Sequence, residues 1–129
     1  MTWPAALLAL LVSHLVGDFL LQTEWQAVNK VRGIGDAESR QALLRHIGTY
    51  TLACLPALVW IGHHTSAGRA VATGVLISGT HLLVDDGHLV RAWLRDIKHV
   101  ERPALGLTVA VDQTFHVVCL LGAALIAAG

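Results

Sequence analysis

The chain has 129 residues, of which 54% are hydrophobic and 14% are charged, and its formal net charge is zero. Ordinary globular domains carry about a quarter charged residues, so the composition argues against a soluble domain with a polar exterior. The balanced charge gives no sign of a nucleic-acid partner, and none is expected.

The first apolar segment, Pro4–Gln22, begins almost at the N-terminus, and the first basic residue, Lys30, comes only after it. A cleaved signal peptide needs a positive leading region, so the segment reads as a retained transmembrane helix. Three more apolar segments follow: Leu44–Ile61, Ala70–Val90 and Leu105–Ala128. Each fits the roughly 17–25 residues that a helix needs to cross the hydrocarbon core. None shows the alternation of a barrel strand. The expected fold is therefore all-α: one polytopic membrane domain over residues 1–129, a bundle of four transmembrane helices. Cys54 and Cys119 lie inside apolar segments without metal or redox spacing and read as packing residues.

The connections give the orientation. Lys30, Arg32, Arg40 and Arg45 flank the first, and Arg91, Arg95, Lys98 and Arg102 flank the third. Only Arg69 lies near the second, and the tails have no basic side chain. Basic loops stay in the cytoplasm, so both termini are expected outside. Trp3 and Trp60 then fall at the outer interface, and Trp25 and Trp93 at the inner one, where indole rings prefer to sit.

A faint repeat runs through this pattern. His14-Leu-Val-Gly-Asp18 resembles His81-Leu-Leu-Val-Asp85, and each is followed by a Trp and, five residues later, a Lys (Trp25 and Lys30; Trp93 and Lys98). Two helix pairs related by an axis along the membrane normal would be parallel repeats.

Three of the spans carry His and Asp four residues apart: His14 and Asp18, His81 and Asp85, Asp112 and His116. That spacing stacks both side chains on one helix face. The second span brings His46, with Tyr50 one turn further in. Spans one and three run inward and read His then Asp; span four runs outward and reads Asp then His. Every Asp therefore lies about 6–8 Å, and every paired His about 12–14 Å, from the inner helix ends at 1.5 Å per residue. An Asp at mid-membrane costs about 2.5–3.5 kcal/mol on the insertion scale, so three of them require partners. The expected partner is a divalent metal, zinc first with iron or manganese as alternatives, as one or two ions on His14, Asp18, His46, His81, Asp85, Asp112 and His116. Structural hydrogen bonding and proton or ion passage are the competing readings. Gln22 and Gln113 lie near the cluster as substrate-binding candidates. Lys30 is first a topology determinant, and a candidate for attracting an anionic substrate or headgroup.

Taken together, His14-x-x-Gly-Asp18-Phe19-x-Leu21-Gln22, Trp25, Lys30, His46, His81-x-x-x-Asp85 and Asp112-Gln113-x-x-His116 resemble the domain-of-unknown-function 3307 family over nearly the whole chain. The resemblance implies a small multi-pass protein of the bacterial cytoplasmic (inner) membrane. A looser likeness to membrane metal-dependent hydrolases, which also set His and Asp in apolar helices, implies hydrolysis. The leading expectation is a metal-dependent hydrolase acting on a lipid or amphipathic substrate, with Asp18, Asp85 or Asp112 as catalytic base. The alternatives are an ion or proton transporter or channel component, and a regulatory subunit with a structural metal. A homodimer is also expected, through a small-residue face of Gly122, Ala123 and Ala127.

Overall fold

The structure, a computed structural model, describes all residues from Met1 to Gly129, and every regular element in it is helical. Pro4 sits in the first turn of α1 (Trp3–Leu15), where its missing N–H would have had no partner anyway. The helix continues as a π-helical segment, Val16–Leu21, and ends where Gln22 turns extended. A capping box then starts the short α2 (Glu24–Asn29): Gln26 N–H donates to Thr23 Oγ1 and Thr23 N–H donates to Gln26 Oε1. A 3-10 turn, Lys30–Arg32, follows. Asp36 accepts from Ser39 N–H and opens α3 (Ala37–His64). Ser66 caps α4 (Ala67–Asp85) in the same way. Gly87 breaks the chain at φ +78°, and α5 (His88–Ala92) leads through a π turn, Trp93–Ile97, toward α6 (Leu105–Ala128).

Four helices, Trp3–Leu21, α3, α4 and α6, are long and apolar enough to cross a membrane. They pack in a ring: α1 lies against α3 and α6, and α4 lies against α3 and α6. The helices that carry the two His-x-x-x-Asp sequences, α1 and α4, thus face each other across the bundle. The element order repeats as well: a span, a short helix and a second span, twice over. Both chain ends lie together at one end, where Met1, Trp3, Leu125 and Gly129 line a common groove.

Polarity is turned inside out relative to a soluble bundle. Leu8, Val12, Leu52, Val75, Leu83 and Val118 are exposed, whereas His14, Asp18, His46, His81, Asp85 and His116 are buried. A lipid surround accounts for the first set, and intramembrane ionisable groups belong in a bundle interior. The half near the chain ends is closed by a buried cluster that includes Ala6, Leu10, Cys54, Ile61, Ile77, Leu120, Ala123 and Ala127.

Two boundaries and one expected face differ from the sequence reading. The second span begins at Ala37 rather than Leu44, because Asp36 caps the helix a full two turns before its apolar stretch. The third ends at Asp85 rather than Val90, because Gly87 takes a left-handed conformation open mainly to glycine. Ala123 and Ala127, expected on a dimer face, are fully buried within the bundle, in the same cluster as Ala6 and Leu10. Small side chains there let α6 approach α1.

Candidate metal centre

Gly17 permits a close helix approach at the site. A Cβ on it would lie 2.7 Å from Tyr50 Cδ2 and 3.4 Å from Tyr50 Cα, so only glycine lets α3 come this near. Tyr50 stacks in turn on the His81 ring, with centroids 3.6 Å apart and planes at 15°. The π-helical segment after Leu15 carries both Gly17 and Asp18. Such segments are rare and recur at functional sites. Gln22 satisfies this local unwinding. With its amide oriented to use both ends, it donates to the Asp18 carbonyl (3.1 Å) and accepts from Lys30 Nζ (2.7 Å).

All four His and all three Asp singled out in the sequence come together. The Nε2 atoms of His46 and His81 lie 3.0 Å apart. Asp18 Oδ1 is 3.4 Å from the first and 3.1 Å from the second. Asp85 Oδ2 is 2.9 Å and 3.2 Å from the same two atoms. His116 Nε2 stands 3.3 Å from Asp85 Oδ1 and 3.7 Å from Asp112 Oδ2. His14 Nε2 lies 3.6 Å from Asp18 Oδ2 and donates to Gln113 Oε1 at 3.1 Å. The Gln113 amide donates to Asp18 Oδ2 (3.4 Å) and Asp112 Oδ2 (3.1 Å). Gln113 thus bridges α1 and the start of the Asp112-x-x-x-His116 pair.

Direct hydrogen bonds do not satisfy every polar atom of this cluster. Each imidazole Nε2 has at most one proton, yet those of His46 and His81 each face the other ring and two carboxylates. Asp18 Oδ1, Asp85 Oδ1 and His116 Nε2 are buried and have no hydrogen-bond partner, although each is at ion-pair distance from another group. Buried polar atoms are nearly always paired. Ligands about 2.0–2.1 Å from a four-coordinate ion are about 3.3 Å from one another, and the nitrogen–oxygen distances here run from 2.9 to 3.7 Å. Three sets place ligand atoms within 4.8 Å of each other and can hold a metal ion: Asp18, His46 and His81; His14, His81 and His116; and Asp85, Asp112 and His116.

Sequence reasoning did not foresee where Lys30 lies. It is not a surface charge: Nζ donates to Asp85 Oδ2 at 2.8 Å, and the residue is buried. Ser39 fixes it from α3, donating to the Lys30 carbonyl (2.9 Å) and accepting from Arg32 N–H (3.2 Å). Arg91 fixes the turn from α5 by donating to the Val31 carbonyl. The one signal in the sequence was the capping box at Thr23, which turns the chain back beneath the bundle. Lys98, the equivalent residue of the second repeat, is exposed.

A cavity of about 580 Å³ leads from the cluster to the surface between α2, α5 and the start of α6. Asp18, Gln22, Lys30, Asp112 and Gln113 give it a polar face, and Phe19, Val28, Val31, Leu105 and Val109 an apolar one. Asp112 is the open carboxylate, with a side chain 27% exposed against 4% for Asp18 and 0% for Asp85. Asp86 and His88 pair with each other at the surface (2.9 Å), and exposed His63, His64 and His99 take no part.

No curated protein and no solved structure matches the chain. The model of the family "Protein of unknown function (DUF3307)" matches residues 6–128, which takes in every residue of the cluster and of the cavity, and the chain belongs to that family.

Proposed function

We propose that this protein is a membrane-embedded metal-dependent hydrolase, with zinc the first candidate ion, acting on a lipid or other amphipathic substrate. The observation that carries the reading is the convergence of imidazole nitrogens and carboxylate oxygens at 2.9–3.4 Å, with unpartnered ligand atoms, at the inner end of a half-polar, half-apolar cavity. A divalent ion supplies Lewis-acid activation of water and of an ester or phosphoryl oxygen. Asp112, open to the cavity and steadied by Gln113, is the general base in this reading. The apolar wall takes a chain, and the polar face takes the bond to be cut.

Transport of an ion or proton is the rival. The tightly packed apolar cluster from Ala6 to Ala127 closes the half beyond the site, which favours a one-sided centre. The test is elemental analysis of protein purified without metal-affinity tags, together with hydrolysis of fluorogenic acyl-ester and phosphodiester lipids in detergent. The reading expects bound transition metal and an activity lost to chelators and in Asp112→Asn. Well under one ion per chain after incubation with zinc, iron or manganese would overturn it.

A further inference from the structure

The two repeats treat their lysines in opposite ways. Lys30, five residues after Trp25, is buried and bonded to Asp85, whereas Lys98, five residues after Trp93, is exposed. The cluster holds enough donors for two ions: Asp18 with His46 and His81, and Asp85 with Asp112 and His116. Lys30 Nζ donates to Asp85 Oδ2 at 2.8 Å, the oxygen that also lies 2.9 Å and 3.2 Å from Nε2 of His46 and His81, while Asp85 Oδ1 faces His116, so the ammonium sits on the carboxylate that joins the two sets. Its position is imposed from several sides, by Gln22, by Ser39 and through the turn that Arg91 holds. We propose that Lys30 is a built-in cation standing in place of a second metal ion, so that the centre takes a single divalent ion.

This rests on the metal reading above and narrows it. With neutral imidazoles, three carboxylates and one ammonium leave two negative charges, the charge of one divalent cation. A second divalent ion would have to share Asp85 with an ammonium a few ångström away, and like charges at that range repel strongly in a low-dielectric interior. His14 fits the same assignment: its Nε2 donates to Gln113, so its lone pair is not free for an ion at that atom.

Titration of metal-free protein in detergent with Co(II), followed by visible absorption and by the cobalt retained after gel filtration, decides this. Wild type and Lys98→Met are expected to saturate at one ion per chain. Lys30→Met is expected to take two, and Lys30→Met/Asp85→Asn, which restores the charge balance, to return to one. Lys30→Gln keeps a hydrogen-bond donor toward Asp85 and is also expected to take two, which covers the case in which the methionine variant does not fold. Two ions in wild type, or one in both Lys30→Met and Lys30→Gln, would overturn the role of Lys30 and leave the metal reading standing. No bound cobalt in any variant would remove the metal reading itself.

Discussion

His81 makes the most contacts in the cluster: its Nε2 faces His46, Asp18 and Asp85, and its ring is stacked on Tyr50. Replacing it by alanine removes a candidate ligand and leaves two buried carboxylates with one fewer partner. Breaking a buried charge pair costs about 3–5 kcal/mol. His81→Ala is therefore expected to lose bound metal and to melt at markedly lower temperature, measured by elemental analysis and thermal unfolding in detergent. Asp112→Asn is expected to behave differently. The amide is neutral, it sits at the cavity face rather than in the interior, and Gln113 can still bond to it. Its fold should hold to within about 1 kcal/mol, the size of a typical net hydrogen bond, while hydrolysis falls. A melting temperature lowered as far as in His81→Ala would show that Asp112 is a structural partner and not a base.

At the scale of elements, the site depends on how closely the helices approach and how their ends are held. Gly17 in the π-helical segment has no room for a Cβ against Tyr50, so Gly17→Ala must separate that segment from α3 or displace the ring stacked on His81. Overpacking of this kind costs about 1–3 kcal/mol. The expected result is reduced metal affinity by competition with a chelator, although no ligand has been touched; unchanged affinity would mean the ring stack does not position His81. Ser39 is the corresponding test for the first connection, because its hydroxyl bonds both the Lys30 carbonyl and the Arg32 N–H. Ser39→Ala should cost about 1–3 kcal/mol through the unpaired buried groups, read as a lower melting temperature; no change would show that the turn is held from α5 alone. The sequence made the His and Asp cluster legible because a spacing of four on apolar helices has one geometric meaning, a shared face. It did not reveal the seat of Lys30. Charge in a connection reads as solvated unless the path of that connection is known, and the path depends on Thr23, Ser39 and Arg91, which are far apart in the chain.

At the scale of the whole molecule, the two ends of the bundle differ in kind. Exposed Arg32, Arg40, Arg45, Arg95, Lys98 and Arg102 belong to the end that holds the cavity and the short helices, while Met1 and Gly129 lie together at the other. The four spans were readable from apolar length alone. Their ring order was not, since it depends on which small residues allow approach, such as Ala123 and Ala127 against the first span. Orientation in a membrane follows from the charges: basic connections resist translocation, and here they flank both connections on the cavity side, while Arg69 is the single basic residue near the other. The site is therefore expected to open to the cytoplasm, to a substrate in the inner leaflet. A reporter that fluoresces only in the cytoplasm tests this at two places. Gly35 is an exposed turn position with open space around it, so an insertion there leaves the packing intact. Fluorescence is expected from the insertion at Gly35 and none from a fusion after Gly129. The opposite result would place the cavity on the outer face and move the substrate to the outer leaflet. It would leave the His and Asp geometry unchanged, because that geometry depends on the bundle and not on which way the bundle is inserted.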